Sequence, residues 1–139
     1  MNKISKKGLE HEQMSKEEKK KVKILVVDDE PDLREMLSGI LFDKGYEAVM
    51  AQNGREAIKI VKDNGLSIIF MDIKMPDMNG VEAYKEIKKT STAAVTVMMT
   101  GYVVEDLVKE AMNEGVYACL KKPFEMDDIL NIVEKITGR

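Results

Sequence analysis

A single cysteine, Cys119, stands among 139 residues, so no internal disulfide can form, and a reducing compartment is the expectation. No apolar run approaches the roughly 18 residues that a membrane-spanning helix needs. Lysines near the N-terminus are not followed by an apolar segment, so this stretch does not read as a secretory signal. Neither sign of charge dominates. With a formal net charge of −3 the composition carries no nucleic-acid footprint. The expected setting is therefore the cytoplasm, with no membrane association and no direct nucleic-acid contact. What remains is an ordinary globular composition, 44% hydrophobic and 34% charged, at a length that suits one domain with a genuine core.

Residues 1–21 differ in texture from the rest. Lys, Glu, Gln and Ser dominate, and Ile4, Leu9 and Met14 miss helical spacing. Such a segment buries too little surface to offset the entropy of ordering it, so a disordered or frayed charged tail is expected. From Val22 the chain alternates between two patterns, which sets a domain over residues 22–137. Lys23-Ile24-Leu25-Val26-Val27 is a short β-branched run suited to a strand buried on both faces. Leu33, Met36, Leu37, Ile40 and Leu41 then recur as one stripe of an amphipathic helix, with Pro31 in its first turn and Gly45 beyond its end.

The same alternation recurs four more times. Strands are expected at 46–51, 67–71, 94–99 and 117–120, and the intervening helices are marked by Asn53 with Glu56, by Gly80, by Gly115 and by Asp127. Five βα units with short connections predict an α/β fold: a doubly wound, five-stranded parallel sheet of the flavodoxin-like (βα)5 type, in strand order 2-1-3-4-5. No internal sequence repeat accompanies this rhythm. Only Thr137-Gly138-Arg139 follow the last expected helix, so no effector domain is expected.

In such sheets ligands sit beyond the carboxyl ends of the strands. Strand 1 delivers Asp28-Asp29-Glu30 there, strand 3 Asp72, strand 4 Thr100-Gly101 and strand 5 Lys121-Lys122-Pro123, while strand 2 delivers nothing reactive. Each feature has an ordinary reading on its own: an acidic helix cap, a lone carboxylate, a capping hydroxyl, a solvated lysine pair. Their conjunction does not. Carboxylates about 4 Å apart repel by roughly 4 kcal/mol per pair at an effective dielectric near 20, more than one lysine offsets. A hard divalent cation can offset it, and few carboxylates, a carbonyl and open positions suit Mg²⁺. An open metal face beside a carboxylate, a hydroxyl and an ammonium is a place to hold a phosphoryl group.

Ile24-Leu25-Val26-Val27-Asp28-Asp29-Glu30-Pro31, the loop from Asp72 to Gly80, Thr100-Gly101 and Lys122-Pro123-Phe124 resemble the signature of the response-regulator receiver family, in order and over roughly residues 22 to 137. That resemblance implies a phosphorylation-activated signalling switch of a two-component system or phosphorelay, not a conventional enzyme. Asp72 would take a phosphoryl group from the phosphohistidine of a histidine kinase or histidine phosphotransfer protein, and the domain would catalyse its own dephosphorylation. Mg²⁺ would be ligated by Asp29, Asp72 and the backbone carbonyl of Lys74, with Asp28 acting mainly through water. Lys122 would pair with the phosphoryl group and Lys121 would not. Thr100 would swing inward as the switch, altering a partner-binding face made by the fourth helix, fifth strand and fifth helix of the repeating units.

One position departs from the family pattern. Cys119 stands where a Tyr or Phe usually follows the threonine inward, and it is too small for a bulky two-position readout. Tyr102 is then the alternative reporter, and a redox role for Cys119 is disfavoured. Two other functions fit less well. A phosphatase of the haloacid-dehalogenase type would need a second Asp at position 74, which is Lys; a flavin carrier would meet anionic residues where its phosphate must bind.

Overall fold

In the computed structural model, residues 14–63, 65–91, 93–102 and 104–138 are described. Most of the expected tail, residues 1–13, lies outside them. Its remainder contains a five-residue helix, α1 (Lys16–Lys20), opened by a reciprocal capping box between Ser15 and Glu18. Lys19 reaches over the Tyr46 ring at 5.4 Å, and Met14 packs against the core.

Five strands follow: β1 (Lys23–Val27), β2 (Glu47–Ala51), β3 (Ile68–Asp72), β4 (Val95–Thr100) and β5 (Ala118–Lys121). All pair in parallel in the order β2-β1-β3-β4-β5, the order expected for the (βα)5 fold. Helices α2 (Pro31–Asp43), α3 (Gly54–Asp63), α4 (Gly80–Thr90), α5 (Glu105–Glu114) and α6 (Met126–Thr137) connect or follow them. The fourth and fifth helices of the repeating units are thus α5 and α6.

Alternation along the strands divides the core into two layers. Leu25, Val27, Ile69, Met71 and Met98 face α3, α4 and α5, which contribute Ala57, Val61, Ala83, Tyr84, Ile87 and Ala111. Ile24, Val26, Ile68, Phe70, Val97 and Met99 face α2 and α6, which contribute Leu37, Leu41, Ile129, Ile132 and Val133. Every residue of β3 is buried, as a central parallel strand covered on both faces requires. The edge strands β2 and β5 are only partly covered. Chemistry placed at the ends of β1 and β3 therefore rests on the most rigid part of the sheet.

Candidate functional site

Strands β1 and β3 are neighbours, while the chain between them passes out to β2 and back. The crevice at their carboxyl ends is the switch point of the sheet, where such folds bind ligands. Asp28 follows the last residue of β1 and Asp72 ends β3; both are buried. Asp29, beside them, is exposed. One carboxylate oxygen from each of Asp28, Asp29 and Asp72 lies within 4.8 Å of the others.

Lys122, directly after β5, supplies the cation. Its Nζ donates to Asp28 Oδ2 at 2.8 Å and to Asp72 Oδ2 at 3.4 Å, and stands 3.7 Å from Glu30 Oε1. The Lys122–Pro123 peptide bond is cis. Lys121 is exposed. Asp28 is fully engaged, since its Oδ1 accepts from the Glu30 amide at 2.9 Å. Asp72 is not. Its Oδ1 is buried without a hydrogen-bond partner among the described residues, an arrangement that costs free energy unless something else meets that oxygen.

Burial, reinforced by the negative charge of Asp28, pushes the Asp72 carboxyl up to about 6, against the opposing pull of Lys122. For Lys122, burial favours the neutral amine, but the hydrogen bond to Asp28 and the charges of Asp72 and Asp28 outweigh it and raise the pKa. One ammonium among three carboxylates leaves the pocket short of positive charge. Hard oxygen donors, one of them unpartnered, fit a divalent metal ion.

The loop after Asp72 closes tightly. Gly80 donates its amide to the Ile73 carbonyl at 2.7 Å, and a Cβ on Gly80 would sit 2.3 Å from the Asp72 carbonyl oxygen. Only glycine allows α4 to begin this close to the end of β3. Asn79 and Glu82 cap that helix reciprocally. Asp77 takes a positive φ of 70° in a turn in which Met78 N–H donates to Pro76 O at 2.8 Å. Lys74, with its carbonyl in the same loop, is exposed and Met75 is half-buried.

Thr100 ends β4 and is buried, but its hydroxyl is engaged elsewhere. It accepts from the Tyr102 amide and donates to the Tyr102 carbonyl, each at 3.1 Å. Tyr102 as a residue is 65% exposed. Cys119, opposite Met98 in β4, is half-buried against the layer beneath α5, and burial pushes its thiol up, away from the reactive thiolate. Sequence reading overlooked two contacts: Glu30 near Lys122, and Arg34, whose Nη1 donates to the Asp28 carbonyl at 2.6 Å. A cation six residues after Asp28, in the first turns of the following helix, was the available signal for the second.

Residues 24–134 match the family described as the response regulator receiver domain. The chain is 35% identical to the chemotaxis protein CheY of Bacillus subtilis over 114 residues, 81% of this chain and 95% of the relative. It is 33% identical to sporulation initiation phosphotransferase F of the same organism over 113 residues, 81% and 91% respectively. Against the regulatory protein AtoC of Escherichia coli it is 36% identical, but it spans only 24% of that protein's length. Among solved structures, a CheY-like receiver domain protein from Methanospirillum hungatei superposes with a TM-score of 0.80 at 30% identity, covering 84% of this chain and 94% of that one. The chain belongs to the response regulator receiver domain family, a family of phosphorylation-activated signalling proteins that interact with histidine kinases or phosphotransfer proteins and with downstream targets. Among the described residues no helix is long and apolar enough to cross a membrane.

Proposed function

We propose that Asp72 is the phosphoacceptor of this receiver domain, in a Mg²⁺-dependent reaction with the phosphohistidine of a histidine kinase or phosphotransfer protein. The observation that carries this reading is the gathering of Asp28, Asp29 and Asp72 oxygens within 4.8 Å beside Lys122, with Asp72 Oδ1 unpartnered. An Asp72 carboxylate oxygen attacks phosphorus, a P–O bond forms as the P–N bond breaks, and the electron pair goes to the departing imidazole, which takes a proton from solvent. In-line transfer of this kind asks for positioning and charge neutralisation more than for acid–base help. Asp29, Asp72 and the Lys74 carbonyl would hold Mg²⁺, with Asp28 acting through water, and the ion would supply that neutralisation when bound. Lys122 transfers its ammonium from Asp28 and Asp72 to the phosphoryl oxygens, and Thr100 gives up Tyr102 to bind another. Water hydrolyses the acyl phosphate in time, resetting the switch.

Output follows from the last of these movements. Thr100 leads through Tyr102 into α5, so the face formed by α5, β5 and α6 is the one whose partner binding changes, in the cytoplasm and without direct nucleic-acid or membrane contact. Tyr102 takes the reporter role that Cys119 is too small to fill. The experiment is incubation with a small phosphodonor and Mg²⁺, followed by mass measurement. The wild type is expected to gain one phosphoryl group and Asp72→Ala none. A gain that persists in Asp72→Ala, or no gain in the wild type, overturns the reading.

A further inference from the structure

The acidic pair on which the metal would rest lies in a turn, not in the sheet. β1 pairs with β2 as far as Val27 and Ala51, and with β3 as far as Val27 and Met71. Beyond that point the Asp28 amide still reaches the Ala51 carbonyl at 3.2 Å. The Asp28 carbonyl has no such partner in the ladder, yet Asp28 is fully buried. A buried carbonyl left unpaired is costly, so something must meet it.

Arg34 does so. It lies in the first turns of α2, with its amide on the Glu30 carbonyl at 3.1 Å, and its half-buried guanidinium turns back to donate to the Asp28 carbonyl at 2.6 Å. The contact closes a loop of seven residues, 28 to 34, that contains both acidic side chains. The Asp28 carboxylate is fixed from the other side by the Glu30 amide and Lys122. Among the described residues Asp29 has no such tether of its own, and it is exposed, so the direction of its carboxylate depends on how firmly the turn is held. The guanidinium also brings a permanent positive charge to the backbone of two adjacent carboxylates, opposing their mutual repulsion without occupying either one.

We propose that Arg34 is a positioning residue for metal binding: by clamping the Asp28 carbonyl it holds the acidic turn in the geometry in which Asp29 and Asp28 meet a divalent cation. The inference rests on the metal-dependent reading above. Outer partners that orient metal ligands are typically worth about 10–100-fold in affinity, and this clamp acts on the backbone between two of the three acidic ligands.

Calorimetric titration of the full chain with Mg²⁺ alone tests it, alongside Arg34→Met, which keeps the aliphatic stem, and Arg34→Lys, which keeps one donor. Arg34→Met is expected to bind Mg²⁺ about 10-fold more weakly, with Arg34→Lys recovering most of the loss. Phosphorylation of Arg34→Met should be slow at low Mg²⁺ and return to the wild-type rate at saturating Mg²⁺, because the clamp acts on the metal and not on the transfer. Wild-type affinity in Arg34→Met overturns the proposal. Equal weakening in both variants with a lowered melting temperature also overturns it, since that pattern describes a general loosening. A wild type that binds no Mg²⁺ overturns instead the metal-dependent reading beneath.

Discussion

Around Asp72 the backbone closes on itself, whereas just beyond Thr100 the hydrogen bonds of the described residues run through one hydroxyl. On the first side Gly80 docks on Ile73, and Asp28 and Asp72 are buried with Lys122 between them. On the second, Tyr102 is exposed, and Val104, the N-cap of α5, makes no side-chain hydrogen bond to the helix. The far end of α5 is better anchored: its C-cap Gly115 donates to Ala111 and Met112, and Lys88 donates to the Glu114 carbonyl at 2.6 Å. A tightly held Asp72 beside a loop whose hydroxyl contact can be exchanged suits the proposed switch. The chemistry needs fixed distances, and the readout needs a segment whose conformation one hydrogen-bonding choice can change.

Two glycines break or sharpen this contrast most directly. In Gly80→Ala the added carbon would stand 2.3 Å from the Asp72 carbonyl oxygen and 3.1 Å from Ile73 Cα, where only backbone movement relieves it. A loss of about 3 kcal/mol is expected, at the upper end of overpacking costs. In Gly101→Ala the nearest atoms belong to the Lys122 side chain at 3.7 Å, an ordinary contact. That variant should stay within about 0.5 kcal/mol of wild type. Urea unfolding of both checks the pair, and equal losses would show that the two regions do not differ in tightness.

The second effect is electrostatic and depends on pH. In the metal-free protein the Asp72 carboxyl titrates near 6, against 3.8 as its ordinary value. Between those values the native state holds a proton that the unfolded chain has released. The associated stability is fully present below about pH 4 and is lost as pH rises through 6, an effect of about 3 kcal/mol at most. Asp72→Asn removes the titrating group. Comparing its urea midpoint with that of the wild type from pH 4 to 7.5 should show the wild type losing stability relative to the variant as pH rises. Mg²⁺ favours the ionised carboxylate and should flatten that difference. Parallel pH profiles without metal would refute burial and Asp28 as the source of the shift.

Much of this was legible beforehand because it depends on local pattern. Alternating β-branched runs and helical stripes placed all five strands to within a residue or two, and reading what each strand delivers at its carboxyl end located Asp28, Asp72, Thr100 and Lys122. Parallel topology then forces those residues to one edge. What the pattern concealed is who holds whom before any ligand binds. That Lys122 rests nearer Asp28 than Asp72, that Arg34 turns back onto the Asp28 carbonyl, and that the Thr100 hydroxyl is committed to Tyr102 are outcomes of side-chain reach and local competition for donors. Spacing constrains such choices without deciding them. The helix at Lys16–Lys20 is a related case: Ser15 and Glu18 carry a capping signature, but its packing depends on Tyr46, distant in sequence.

The looser region is tested most specifically by a more modest loss of stability. Thr100→Val keeps the shape of the side chain and removes only the hydroxyl. Its two hydrogen bonds run to the backbone of Tyr102, whose side chain is largely exposed, so water can replace part of what is lost and the cost should be about 1 kcal/mol. The distribution of the effect matters more than its size. Without the hydroxyl, amides at Tyr102 and from Glu105 to Leu107 should exchange faster, while those near Gly115, held by the Ala111 and Met112 carbonyls, should not change. In the wild type, Mg²⁺ with a beryllofluoride phosphoryl mimic should produce the same pattern by drawing the hydroxyl away, and in Thr100→Val it should add little. Uniform exchange along α5, or a mimic-induced change that survives in Thr100→Val, would mean that the path from Asp72 to α5 runs through other atoms. Cys119, which is half-buried in the neighbouring strand and lacks the bulk to move the helix, would then be a poor candidate, and the loop from Ile73 to Gly80 would become the segment to examine.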